Sequence, residues 1–306
     1  FSEIFFKALK IEKIKSPLIL IASEKILRKQ MKKLKFNMNI NLLDYKNFNY
    51  EKLNNKSINL VNVDFNQKKA FEKISKKSNK FIETSFHIAF EIMKKKKIYK
   101  FINGPISKKN FLGRKYLGIT EYISENFSSK KNCMLIYNKK LSVCPITTHL
   151  PLKHVASKIN KRLIVQKINL INNFYKKMFK FKPRIAVLGL NPHCESIHTF
   201  NEDEKIIKPV IQRLRKIYKI SGPHPADTIF IKNIRKKYDV IVGMYHDQVL
   251  APYKTLYEFN AINMTLGLPY LRMTPDHGIA NDKKKLNISS ARSLNNCIEV
   301  MSSLIK

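Results

Sequence analysis

Three histidines share one local setting. His149 lies in TTHLPL, His193 in LGLNPH and His246 in GMYHDQ, each a few residues past a short run of β-branched and apolar residues. In open α/β sheets ligands gather beyond the carboxyl ends of strands, so residues far apart in the chain can converge there. Three neutral imidazoles with an open position make a candidate site for one divalent metal ion. Such an ion acts as a Lewis acid and lowers the pKa of a bound hydroxyl. A lone histidine in a loop is more simply a hydrogen-bonded loop residue, and it is the threefold recurrence that favours a site. Asp247, directly after His246, is suited to support a histidine ligand or to cap a helix.

Groups that recognise oxyanions cluster in KTLYEFNAINMTLGLPYLRMTPDHG, namely Lys254, Asn263 and Arg272. Arginine offers a planar fork to phosphate or carboxylate and lysine a point charge. Lys254 alone carries little weight in so basic a chain. Of 59 Lys+Arg, nine are arginine (28, 114, 162, 184, 213, 215, 235, 272 and 292), leaving 50 lysines, so Arg272 is the more telling cation. Gly267-Leu268-Pro269 reads as a turn, and Asp276-His277-Gly278 as a polar turn or part of a cleft. In SGPHPADTIF, Asp227 is either a cap for a following helix or a carboxylate facing a substrate ammonium or a metal. NGPISKKN places Gly104-Pro105 at a strand end with Lys108 available to an anion.

These residues need a frame of alternating strands and helices. Apolar, β-branched runs predict strands over 18–22, 58–61, 133–137, 141–145, 184–188 and 240–244. Amphipathic stretches predict helices over 25–35, 67–95 (with a break), 154–179, 202–218 and 289–305. The alternation implies an α/β fold with a mostly parallel sheet. No internal repeat and no Gly/Ser linker marks a domain boundary.

The eight glycines stand at 104, 113, 118, 189, 222, 243, 267 and 278. No two are two positions apart, which excludes the G-x-G-x-x-G dinucleotide turn. Gly113 and Gly118 have P-loop spacing but are followed by Ile119-Thr120, without the phosphate-reaching lysine. The four cysteines form no C-x-x-C pair, which points to a reducing cytoplasm. No apolar run is long enough to span a membrane, and the first residues lack a signal-peptide pattern. The net charge of +37 accompanies high Lys, Ile and Asn with only 8 Gly, so composition bias is preferred to a nucleic-acid role. A basic nucleic-acid-binding protein on a degenerate enzyme scaffold is the rival from another class. It would bind nucleic acid tightly and salt-sensitively and hold no metal.

Taken in order, the blocks NGPISK, GITEY, TTHLPL, RIAVLGLNPH, GPHPADTIF, MYHDQ and NMTLGLPYLRMTPDHG resemble the 4-hydroxythreonine-4-phosphate dehydrogenase family of vitamin B6 biosynthesis. The resemblance implies two α/β/α domains flanking a cleft, similar to isocitrate and isopropylmalate dehydrogenases. The first would span 1–113 plus 282–306 and the second 114–281. It implies a metal held by His149, His193 and His246, with substrate contacts from Thr120, Lys254, Asn263 and Arg272 and with Asp227 nearby. Lys254 and Asp227 are the candidate catalytic residues. It also implies a homodimer with a shared active site, and oxidation of 4-phosphooxy-threonine by NAD or NADP. The resulting β-keto acid would decarboxylate to 3-amino-2-oxopropyl phosphate. Two departures stand out. Ile119 replaces the histidine that precedes the family's threonine, which admits a sister activity on another phosphorylated hydroxy acid such as 4-phospho-erythronate. At the start, Phe1-Ser2-Glu3-Ile4 matches only the tail of the family's opening strand and glycine loop, so a first strand is expected to be missing.

Overall fold

The computed structural model describes residues 1–10, 14, 16–113, 116, 118–127, 131–276 and 289–304. By internal contacts the chain falls into two compact units, residues 1–119 with 277–305, and residues 120–276.

In the first unit, β1 (Ile19–Ala22) and β2 (Ile40–Leu42) both pair in parallel with β3 (Ile58–Asn62), giving the order β1-β3-β2. Ser23 ends β1 and caps the helix Glu24–Lys33, its hydroxyl accepting from the Ile26 amide. That helix turns Leu27 and Met31 into a core with Leu60 of β3 and with Leu294 and Ile298 of the helix Arg292–Ser303. The expected helix over 67–95 begins only at Asn79 and runs to Lys95. Its first part, QKKAFEKISKKS, lacks an apolar stripe and is mostly exposed. β4 (Lys100–Ile102) follows. An apolar cavity of about 890 Å³ lies within this unit, along residues 18–22 and against Phe86, Phe101 and Ile298.

The second unit is built on a mixed sheet. Its strands are β5 (Cys133–Tyr137), β6 (Ser142–Pro145), β7 (Ile185–Leu188), β8 (Ile220–His224), β9 (Val240–Gly243), β10 (Ile262–Leu266) and β11 (Leu271–Pro275), in the order β11-β10-β5-β6-β9-β7-β8. The pairs β6·β9, β9·β7 and β7·β8 are parallel, and those from β11 to β6 are antiparallel. The sheet is therefore less parallel than the strand–helix alternation implies. The hairpin β10–β11 and strand β8 escape that alternation because Asn, Thr, Arg, Gly and Pro interrupt their apolar pattern.

The central strands read as continuous apolar runs because both faces are covered. On one face Ile136, Val143, Ala186, Leu188 and Ile241 pack with Val249, Leu250 and Tyr253 of the helix His246–Tyr257. On the other, the Ser142 hydroxyl meets Tyr175 Oη at 2.8 Å, where the long helix Lys161–Phe179 lies. That helix starts later than the expected 154, because Asn160 caps it through the Leu163 amide (2.9 Å). Across 202–218 a turn of π-helix, Asp203–Ile207, precedes the helix Lys208–Leu214. Among the described residues no helix is long and apolar enough to cross a membrane.

Candidate functional site

The three histidines follow three neighbouring parallel strands: His149 after β6, His246 after β9 and His193 after β7. Parallel pairing puts these strand ends at one edge of the sheet. Hydrogen bonds then fasten each turn to the next. The Thr147 amide and hydroxyl both donate to the Met244 carbonyl, at 3.1 and 2.8 Å, joining the turns that carry His149 and His246. Gln248, buried, accepts from the Met244 amide at 2.7 Å and donates to the Gly189 carbonyl at 2.8 Å, joining the turn of His246 to that of His193. Both connections suit glycine. A Cβ on Gly243 would meet Gln248 Oε1 at 2.9 Å, and one on Gly189 would meet Asp203 Oδ1 at 2.6 Å.

His149 and His246 stand side by side, their ring centroids 6.0 Å apart. His246 Nδ1 is 2.9 Å from Asp247 Oδ1. A carboxylate on one ring nitrogen fixes the tautomer and leaves the other nitrogen for a ligand. Glu121 Oε1 lies 3.8 Å from His149 Nδ1. His193 is exposed, at φ 55° and followed by Cys194 at φ 64°. Non-glycine residues in that region cost about 1–2 kcal/mol each, so the loop needs external support. As placed, among the described residues no three His, Cys, Asp or Glu side chains are close enough to share an ion. As donors the imidazoles fit a divalent ion: two are adjacent, one is already oriented by a carboxylate, and the third sits on the adjoining strand's loop.

The oxyanion groups occupy the hairpin. Asn263 faces Thr274, and Thr265 faces Arg272, in register on β10 and β11. Side chains two apart on a strand share a face, so these four residues form one polar patch. Arg272 is only 3% exposed and donates to the hydroxyls of Thr120 (2.9 Å) and Thr265 (2.6 Å). Burial lowers its pKa to about 10, opposed by the charges of Tyr270 and Glu121, and the guanidinium stays charged at neutral pH. The amide oxygen of Asn263 is buried without a hydrogen-bond partner among the described residues, an acceptor left for a ligand's donor. Gly267, at φ 88°, closes the hairpin where a Cβ would strike the Lys131 carbonyl. Lys254 forms an ion pair with Asp276 and lies over the Phe259 ring. Asp227 is exposed in a turn near Cys194, whose thiol is pushed up to about 11 by burial and then by the charges of Asp203, Glu195 and Asp227. The next helix begins at Lys232 with Ile231 at its cap position, so Asp227 does not cap it. Ile119 is a buried apolar side chain before Thr120, and His277 and Gly278 lie outside the described residues.

Residues 13–301 match the pyridoxal phosphate biosynthetic protein PdxA family. The chain belongs to the PdxA family. This PdxA chain thus stands among the dehydrogenases of pyridoxal phosphate biosynthesis. It is 38% identical over 306 residues to a 4-hydroxythreonine-4-phosphate dehydrogenase of Sulfurihydrogenibium sp., covering 98% of this chain and 92% of that one. Over 189 residues, 60% of this chain and 58% of the other, it is 33% identical to a D-threonate 4-phosphate dehydrogenase of Pectobacterium atrosepticum. The crystal structure of a 4-hydroxythreonine-4-phosphate dehydrogenase from Klebsiella pneumoniae superposes with TM-score 0.81 at 25% identity, over 98% of this chain and 94% of that one. One from Burkholderia phymatum gives 0.78 at 26% identity, over 99% and 94%.

Sequence reasoning did not find four residues that contact the candidate residues or fasten the turns that carry them: Glu121, Asp203, Gln248 and Thr265. A glutamine or threonine inside a helix or strand carries no local mark of its partner. The available signal was weak: Glu121, Gln248 and Thr265 each fall within a quoted block, near Thr120, His246 and Asn263, and Asp203 falls in none.

Proposed function

We propose that the chain oxidises 4-phosphooxy-threonine at its C3 hydroxyl with NAD or NADP as hydride acceptor. The β-keto acid so formed loses carbon dioxide to leave 3-amino-2-oxopropyl phosphate. The observation that carries the reading is the pairing of His149 with His246 on adjacent strand ends of the sheet whose hairpin holds the buried Arg272. Arg272, braced by Thr120 and Thr265, is a fixed cation for the substrate's phosphate or carboxylate. A bound anion offsets the cost of its burial, and Asn263 orients the same ligand through its free amide oxygen. His149, His193 and His246 would hold one zinc, magnesium or cobalt ion, which when bound supplies Lewis-acid chemistry to a substrate hydroxyl. Lys254, held in an ion pair by the carboxylate of Asp276, would be the cation beside the reacting groups. Asp227 would face the substrate ammonium from the loop beside Cys194.

The wider reading takes the two units as isocitrate-dehydrogenase-like domains, 1–113 plus 282–306 and 114–281, in a cytoplasmic homodimer with a shared site.

Turnover of 4-phosphooxy-threonine by the purified protein, followed by NADH or NADPH absorbance and accompanied by metal analysis, tests this. Full activity and full metal content in both His149→Ala and His246→Ala would overturn it. Ile119, which offers no side-chain hydrogen bond where the resemblance expects histidine, favours a second reading in which 4-phospho-erythronate is the better substrate. Comparing kcat/KM for the two compounds decides between them.

A further inference from the structure

We infer that Asp203 is the positioning residue for His193, an assignment that rests on the metal reading above. Asp203 is fully buried at the start of the π turn after the His193 loop. Its Oδ1 accepts from the Leu190 amide at 2.7 Å, and its Oδ2 from the Asn191 amide at 3.0 Å and from Asn191 Nδ2 at 2.8 Å. Three donors from two consecutive residues therefore converge on one carboxylate. They lie just past β7, three and two residues before His193.

The arrangement has a specific consequence. His193 and Cys194 both occupy the left-handed region, which the chain avoids unless its surroundings compel it. The Gly189 carbonyl is held by Gln248, and the next two amides are held by Asp203. The backbone entering His193 is thus clamped from both sides, one clamp reaching the turn of His246. A ligand presented on a preset backbone loses less freedom on binding than one on a mobile loop. Asp203 meets no substrate in this account; it acts only through His193.

The test is a cobalt-binding cycle on the full chain. Co2+ affinity is measured by competition with a chromophoric chelator, and the visible spectrum reports the ligand set. Asp203→Asn places an amide where one carboxylate oxygen received N–H groups. It is expected to weaken Co2+ binding by about 10–100-fold, the range seen when a supporting group of a metal ligand is removed, and to alter the spectrum. In the His193→Ala background the same substitution is expected to change Co2+ affinity less than about twofold, because the ligand it positions is gone. An equal loss in both backgrounds would mean a general structural role and would overturn the inference, as would wild-type affinity in Asp203→Asn. If Asp203→Asn does not fold, Asn191→Ala removes only one of the three bonds. It is carried through the same cycle, with a smaller but still His193-dependent loss expected and a His193-independent one overturning the inference. His193→Ala by itself separates the two levels. If it binds Co2+ like wild type, the metal reading itself fails. If it binds weakly while Asp203→Asn does not, only the assignment of Asp203 fails.

Discussion

Gln248 is a buried side chain bonded to two main-chain groups of different strand ends, and its replacement by methionine has a magnitude that can be worked out. Methionine keeps the length and most of the volume but removes the acceptor for the Met244 amide (2.7 Å) and the donor to the Gly189 carbonyl (2.8 Å). Each buried group left unpaired costs about 1–3 kcal/mol, so Gln248→Met is expected to destabilise by about 2–6 kcal/mol. At roughly 2–4 °C per kcal/mol for a unit of this size, even the lower bound is a fall in Tm of about 4–8 °C. Gln248→Glu keeps the acceptor but loses the donor and sets a buried carboxylate against the Gly189 carbonyl, so it should cost at least about 1–3 kcal/mol. The chain has no tryptophan, so urea denaturation followed by far-UV circular dichroism is the suitable assay. Stability of Gln248→Met within roughly 0.5 kcal/mol of wild type, the range of an ordinary surface change, would refute the reasoning.

Arg272→Lys should raise KM for a phosphorylated substrate by about 10-fold or more, since a lysine lacks the planar fork that spans two hydroxyls and an anion; an unchanged KM would exclude Arg272 as an anion site. His224 is held below the ordinary imidazole pKa by burial and then by Arg215, while its Nε2 meets Ser221 Oγ at 2.8 Å. Its folded pKa being depressed, the stability it contributes is present above about pH 6.5 and is lost as pH falls through the folded value. His224→Gln should therefore flatten the acid side of a Tm-versus-pH profile, and an unaltered slope would contradict this.

What the chain announces locally is what depends on local physics. Runs such as Ala186-Val187-Leu188 and Val240-Ile241-Val242 mark buried strands because β-branched and apolar side chains suit a sheet covered on both faces. The histidines past three of these runs were legible as a group because parallel strands deliver their carboxyl ends to one edge, whichever strand neighbours which. Arg272 was legible as a rare cation in a lysine-rich chain. The helix over 67–95 was legible only as a broken pattern, and its start at Asn79 follows the loss of the apolar stripe before it.

The remainder was decided by tertiary structure. That β9 lies between β6 and β7, so that Gln248 reaches Gly189 across 59 positions, is a matter of strand order, which no local pattern encodes. The register of β10 against β11 sets Thr265 beside Arg272, and the fold brings in Thr120 from 152 positions away. Asp203 reads in the sequence as one more acidic residue at a helix start, and only packing removes it from water and supplies three donors. Propensity acts over a turn or a strand, whereas a buried polar group takes its partners from whatever the folded chain places within about 3 Å of it.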